Sequence, residues 1–350
     1  MDHLFTPYEL KDLKLKNRVV MPPMCQYSVT NKDGIATDWH YNHYVSRAIG
    51  GTGLIIIEMT DVEPDGRISD YDLGIWSDDH IAPLAKIVEA CHAYGAKVGI
   101  QIAHAGRKAE DAEVPVAPSA IPFGPESKTP RELTTVEVKE MVEKFRLGVE
   151  RAVKAGFDVI ELHGAHGYLI HQFHSPLSNQ RTDEYGKDVT LFGREVIRAA
   201  KSVMPEEMPL IMRISAREYV QGGYGIEESL RFSKAYQEAG ADIFHISTGG
   251  EGSIGVGPIA MNDKPGSHAA YQVPFARTIK HQLNVPVIAV GRLDEPALAD
   301  AVIGNEDADL VAVGRGMLRN PYWTLEAAHQ LHKQTDVPRQ YQFGFPKWNK

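Results

Sequence analysis

The side chains in this sequence that are capable of chemistry fall just after short β-branched runs. His163-Gly-Ala-His166-Gly-Tyr168 places two imidazoles and a phenol within six residues. As hydrogen-bond donors, the imidazoles would hold a carbonyl oxygen and stabilise the charge that builds on it during conjugate addition. Two other readings stand beside this one. The pair could ligate zinc, although a catalytic zinc needs three protein ligands and no recognisable spacing supplies the third. They could also be loop histidines with ordinary hydrogen bonds. Cys25 and Tyr27 leave a stiff turn, Pro22-Pro23-Met24, that would hold a thiol and a phenol close together. An inert buried thiol is the plain alternative, and Cys91 fits it.

Cations complete the set. Arg213 sits inside the apolar run 210–214, where a guanidinium is costly to bury without an anionic partner. Gly291-Arg292 and Gly314-Arg315 each follow an apolar run. Glycine there lets a backbone approach a ligand closely, so two such turns point to a phosphorylated cofactor, with a simple tight turn as the bland reading.

One repeating grammar positions these residues: an amphipathic helix, a glycine near its end, then a β-branched run that finishes at a polar residue. Thr134 and Glu137 form a capping box, and Val138, Met141, Val142, Phe145, Val149, Ala152 and Val153 make the helical stripe that follows. Strands are predicted at 18–21, 54–58, 98–102, 157–162, 210–214, 243–246, 287–290 and 310–313. Eight is the closing number of a (β/α)8 TIM barrel. A doubly wound sheet would show Gly-x-Gly-x-x-Gly after its first strand, whereas this chain reads Met21-Pro22-Pro23-Met24-Cys25. No linker divides the chain, so 1–350 is read as one domain. The long stretches 103–133 and 247–275 both follow strands, on the face where barrels build their sites.

Composition bounds the function. The 350 residues are 43% apolar and 24% charged, and no run approaches the roughly 18 apolar residues of a membrane span. With no basic and apolar leader at the start, a cytoplasmic location is expected. A net charge of −9 argues against nucleic acid as partner, and two cysteines are too few for a thiolate cluster.

The motifs together resemble the old yellow enzymes, specifically their compact bacterial NADPH dehydrogenase branch. They are Leu4-Phe5-Thr6-Pro7, Lys16-Asn17-Arg18, Pro23-Met24-Cys25, Gln101 with His104-Ala105-Gly106-Arg107, His163-x-x-His166-Gly-Tyr168-Leu169 and Ser175-Pro176-Leu177-Ser178-Asn179. The resemblance implies an FMN barrel that takes hydride from NADPH or NADH and, in a ping-pong cycle, reduces the C=C bond of small enones or enals. It further implies that Pro23, Met24, Cys25, Met59 and Gln101 contact the flavin, Cys25 tuning its potential. Arg213 would balance the reduced ring. Gly291, Arg292, Gly314 and Arg315 would hold the phosphate, with Ser247, Thr248 and Gly249 nearby. His163 and His166 would hold the substrate oxygen, Tyr168 would give the proton, Tyr27 would assist at the carbonyl, and Lys108 and Arg107 would line the approach. Other readings remain, among them an FMN barrel acting on RNA, a zinc-dependent barrel hydrolase or aldolase using His163 and His166, and a binding module without catalysis.

Three departures from the family pattern are visible. Gly186-Lys187-Asp188-Val189-Thr190-Leu191-Phe192 replaces the usual Gly-Gly-Ser-x-Glu-Asn-Arg. Met59 stands where relatives carry a small residue. Phe343 takes the place of the arginine that the branch sends into a neighbouring subunit. Tyr341, Phe343, Phe345 and Trp348 are costly to leave in water, so a homodimer or homotetramer is expected, with this tail docked on the partner.

Overall fold

The computed structural model describes residues 3–251, 266 and 268–345. Its strands are β1 (Val19–Met21), β2 (Leu54–Asp61), β3 (Lys97–Ala103), β4 (Val159–Gly164), β5 (Leu210–Ser215), β6 (Ile243–Ser247), β7 (Val287–Val290) and β8 (Leu310–Ala312). Each pairs in parallel with the next, and β8 pairs back onto β1, which closes the barrel. The helices α1 (Asp38–Ile49), α2 (Ile81–His92), α3 (Thr135–Lys154), α4 (Leu191–Lys201), α5 (Ile226–Ala239), α6 (Val273–Leu283), α7 (Pro296–Gly304) and α8 (Trp323–Gln330) follow the strands in turn. The expected (β/α)8 architecture is therefore the observed one.

Local chemistry explains the elements. The Thr134 hydroxyl accepts from the Glu137 amide at 3.2 Å while the Glu137 carboxylate accepts from the Thr134 amide at 2.8 Å, closing the predicted capping box at the start of α3. The fourth strand begins two residues later than its sequence pattern suggested. At Asp158 the amide still donates to the Val98 carbonyl at 2.8 Å, but its carboxylate, also paired with Lys97, takes the Val98 amide at 2.8 Å in place of a backbone carbonyl, so the regular ladder starts one residue on. The altered segment after Tyr185 is well packed, for Phe192 lies against Phe145 and Phe173 with ring centroids 6.2 and 4.5 Å away.

Register decides what fills the barrel. In a parallel ladder, opposite residues share a face and alternate residues along each strand share it too. Val20, Leu54, Ile56, Val159, Ile211, Ile243, Ile288 and Leu310 form one apolar cluster at the lower end. Leu13 and Leu15 cap it from below, on an antiparallel hairpin of Tyr8–Leu10 and Leu13–Leu15 that the sequence pattern did not single out. Two residues further along the strands, the inward positions turn polar. There Arg213 stands opposite both His163 and His245.

Candidate active site

The polar layer above the apolar plug holds Gln101, Glu161, Arg213 and His245, all buried. Glu161 accepts from Gln101 Nε2 at 2.7 Å and from His245 Nδ1 at 2.8 Å. Burial alone would raise its carboxyl. His245, the hydrogen bonds and the Arg213 charge outweigh that and hold it below the usual range, so it is ionised. Arg213 is enclosed, and its Nε has no partner among the described residues. Such a group is costly unless something else meets it.

One turn above lies the histidine pair. The His163 ring is 5.1 Å from His166 and 4.8 Å from Tyr168, centroid to centroid, so the predicted trio is assembled. Burial, then the charges of Arg213 and Lys108, hold the His163 pKa far below its ordinary value; for His166 the order is burial, Arg213 and His163. Both imidazoles are therefore neutral, with one N–H each. In His163, Nδ1 accepts from the Ala165 amide at 3.2 Å, which leaves the proton on Nε2. His166 differs. Its Nε2 lies 2.7 Å from Ser247 Oγ, whose own hydrogen goes to Gln272 Oε1 at 3.2 Å, so His166 is the donor in that bond. Tyr168 is pushed well above its ordinary pKa, first by burial, and keeps its phenolic proton. Lys108 Nζ stands 4.7 Å from the Tyr168 ring centroid and donates to the His166 carbonyl at 2.9 Å. Arg107, by contrast, is buried in an ion pair with Glu251.

Cys25 packs against the same small apolar cluster as Tyr168, and Tyr27 follows two residues on. The Gln26 amide donates to Glu58 Oε1 at 2.9 Å and Tyr44 donates to Glu58 Oε2 at 2.5 Å, which fixes the turn that carries the thiol. Burial, then Glu58, pushes the Cys25 thiol well above its ordinary pKa. Tyr27 is half exposed with positive φ. Met59 follows a register shift in β2 and packs with Ile68 and Ala103 in a cluster against which Cys25 and Tyr168 lie. Asp61, which the sequence reading passed over, is a buried carboxyl with no partner for either oxygen among the described residues; burial and Asp72 keep it neutral.

The two Gly-Arg turns meet Arg213 around a cavity of about 220 Å³ lined also by Pro22, Pro23, Met24, Ser247, Tyr271 and Gln272. Gly291 has φ +124°, and a Cβ there would come within 3.0 Å of Gln272 Nε2. Gly314 precedes the short helix Arg315–Arg319 and faces Met24 and Pro22. Arg292 contributes backbone, since its side chain turns outward to the Gly266 carbonyl at 2.8 Å. Gly249 lies outside the cavity lining, tied to the Arg217 carbonyl at 2.7 Å. Thr248 donates to Gln272 Oε1 at 2.7 Å. Tyr271, Gln272, Glu161 and His245 were not picked out from sequence. The last two carried a signal, because they sit two residues before His163 and Ser247 on strands of period two. Among the described residues no group of three or more His, Cys, Asp or Glu could hold a metal ion, and no helix is long and apolar enough to cross a membrane.

An enclosed cation, a glycine-edged cavity and neutral donors at the C-terminal mouth of a barrel describe a phosphorylated-cofactor enzyme. The sequence matches the NADH:flavin oxidoreductase / NADH oxidase family model over residues 3–334. It is 47% identical over 97% of its length to the NADPH dehydrogenase of Listeria innocua and 48% identical over 97% to that of Bacillus velezensis, covering 98% of each. Among solved structures it resembles morphinone reductase in complex with tetrahydroNAD, with a TM-score of 0.79 and 28% identity over 96% of this chain and 92% of that one. The chain belongs to the NADH:flavin oxidoreductase / NADH oxidase family, as its likeness to the old yellow enzymes implied. It is a flavin-dependent oxidoreductase whose cofactor is FMN and whose hydride donor is a nicotinamide. The residues fit FMN: Arg213 supplies a buried cation in want of an anion, and the Gly291 and Gly314 turns leave room that a Cβ would narrow.

Because burial raises the Cys25 pKa, alkylation of this thiol at pH 8 should run at least about tenfold slower than that of a free cysteine and accelerate about tenfold per pH unit, as peptide mass spectrometry can follow. A rate at neutral pH matching or exceeding that of a free thiol would contradict the uncharged state.

Proposed function

We propose that this chain is an NADPH dehydrogenase that reduces the C=C bond of α,β-unsaturated carbonyl compounds in a ping-pong cycle. The observation that carries the reading is the fixed tautomer of His163, which aims an N–H from a neutral, buried ring beside the protonated phenol of Tyr168. Bound FMN supplies the two-electron chemistry, accepting and passing on hydride.

The chain's own residues do the rest. His163 Nε2 donates to the substrate carbonyl oxygen, and His166 joins it by exchanging Ser247 Oγ for that oxygen, which draws electron density from the β-carbon. Tyr168 gives its phenolic proton to the α-carbon. Lys108, stacked on the Tyr168 ring, fixes that phenol, and Tyr27 reaches the carbonyl from the opposite wall. Cys25 acts as a neutral contact that tunes the flavin potential. Pro23, Met24, Met59 and Gln101 pack or bond the ring, Arg213 balances its charge when reduced, and the turns Gly291-Arg292 and Gly314-Arg315 hold the phosphate through backbone with Ser247 beside them. The small-molecule reading is favoured over an RNA substrate by the net charge of −9.

The tail adds an assembly proposal. Residues Arg339–Gly344 form a short 3₁₀ helix held to α8 and its flank by a 3.1 Å bond between the Tyr341 and Tyr322 hydroxyls, and the Phe345 ring lies 6.0 Å from His329. Phe343 is fully exposed, while Trp348 lies outside the described residues. A second copy covers Phe343 in a homodimer or homotetramer. Deleting residues 340–350 should then lower the mass in solution and raise KM for the enone; an unchanged mass would remove the tail from the interface.

Replacing His163 and His166 by Ala should lower oxidation of the reduced enzyme by cyclohexenone about 10²- to 10⁴-fold while FMN stays bound, with His163→Ala alone giving most of the loss. Stopped-flow reduction by NADPH followed by the enone measures this. Full activity in the double variant would refute the reading.

A further inference from the structure

Gln172 takes no part in the roles assigned above, yet its buried amide joins the two turns that carry the proton-transfer residues. It lies on the short helix Leu169–His174, one turn past Tyr168. Nε2 donates to the Gly167 carbonyl at 2.7 Å and to the Ala105 carbonyl at 3.0 Å, and Oε1 accepts from the Arg107 amide at 3.2 Å. Both amide hydrogens are thereby used. The partners also fix which end is oxygen, since a reversed amide would set oxygen against two carbonyls. One side chain thus spans the turn after β3, which carries Lys108, and the turn after β4, which carries His166 and Tyr168.

The two turns are built alike. His104 Nδ1 accepts from the Gly106 amide at 2.9 Å, so its Nε2 donates to Glu63 Oε1 at 2.7 Å. His171 Nδ1 accepts from the Gly167 amide at 2.8 Å, and its Nε2 faces Glu218 Oε1 at 3.0 Å. Gly106 and Gly167 have φ of +59° and +74°, and a Cβ at Gly106 would collide with the Gln172 amide. Each imidazole holds its own turn. The crossing between them is made by the Leu169 amide, which donates to the His104 carbonyl at 2.9 Å, by Gln172, and by Lys108 Nζ, which donates to the His166 carbonyl at 2.9 Å.

Lys108 is where this bridge meets the chemistry. It directly follows the Arg107 amide that Gln172 holds, and its Nζ lies 4.7 Å from the Tyr168 ring centroid and 4.6 Å from that of Phe123. When the phenol gives its proton to the α-carbon, the O–H electron pair stays on oxygen as phenolate. A cation held against the ring offsets that charge until water returns a proton to the half-buried Tyr168. A lysine stem is flexible, so the placement of its ammonium depends on a backbone fixed relative to Tyr168.

We propose that Gln172 is a positioning residue for proton transfer: its amide bridge sets the Lys108 ammonium over the Tyr168 ring, where it stabilises the phenolate formed as the α-carbon is protonated. The inference rests on the reduction of an activated alkene with Tyr168 as proton donor.

Gln172→Met keeps the length of the side chain and removes every bond of the bridge. Holoenzyme is reduced with NADPH in a stopped-flow instrument and then oxidised with cyclohexenone or with nitrocyclohexene, whose hydride adduct is a stabilised nitronate that leaves without protonation at carbon. Reduction by NADPH and oxidation by nitrocyclohexene should stay within about threefold of wild type, while oxidation by cyclohexenone should slow about 10- to 10²-fold. Added to Lys108→Met, Gln172→Met should slow cyclohexenone reduction no further, because the two act through one contact. Equal losses with both alkenes, no loss with cyclohexenone, or additive losses in the double variant would overturn the proposal. Should Gln172→Met fail to hold FMN, Gln172→Glu, which keeps the acceptor for the Arg107 amide and lacks the two donors, decides by the same comparison. A wild-type enzyme that NADPH reduces but neither alkene oxidises would instead contradict the reading of the reaction.

Discussion

A guanidinium enclosed in a closed barrel is the constraint on which the rest of this structure turns. Arg213 is only 7% exposed, at the wall of the cofactor cavity, and leaving it unmet would be destabilising. Glu161 answers its charge from the neighbouring strand, but the hydrogen bonds of Glu161 go to Gln101 and His245, and Arg213 Nε stays open among the described residues. The barrel thus carries a cation whose hydrogen bonds are kept for a ligand. The apolar plug below, sealed by Leu13 and Leu15, closes the barrel end opposite the cavity that Arg213 lines.

The same positive field organises the groups above. Burial, with Arg213 and Lys108, keeps His163 neutral, and burial with Arg213 and His163 does so for His166, while burial also keeps Tyr168 and Cys25 protonated. Apart from Lys108, the mouth of the barrel is therefore lined by uncharged donors, a setting in which hydrogen bonds to a developing oxyanion are strong. Neutrality also makes the tautomers matter. His163 owes its outward N–H to one backbone amide, that of Ala165, so the conformation of the Gly164-Ala165 turn is part of the chemistry.

Much of this was legible in the sequence. Eight β-branched runs with their helices, the Thr134–Glu137 box, the His163–Tyr168 cluster and the paired Gly-Arg turns all rest on local signals of spacing and residue type, and local signals survive folding. What sequence could not give depended on register around the barrel. Glu161 and His245 lie 84 positions apart and meet only because β4, β5 and β6 align them. The neighbours Arg107 and Lys108 read alike in sequence, yet one is buried against Glu251 and the other lies on Tyr168, since adjacent residues of a 3₁₀ turn point different ways. The hairpin that plugs the barrel was overlooked because its strands are three residues each, too short for a period to show.

The central claim is that Arg213 is held open for the flavin ring, and titrating apoprotein with FMN and with riboflavin tests it most directly. Arg213→Leu should weaken both ligands by a similar factor, about tenfold or more, since each 1.4 kcal/mol lost is tenfold in affinity. Unchanged binding of both ligands, or a loss confined to FMN that would assign Arg213 to the phosphate, would contradict the account.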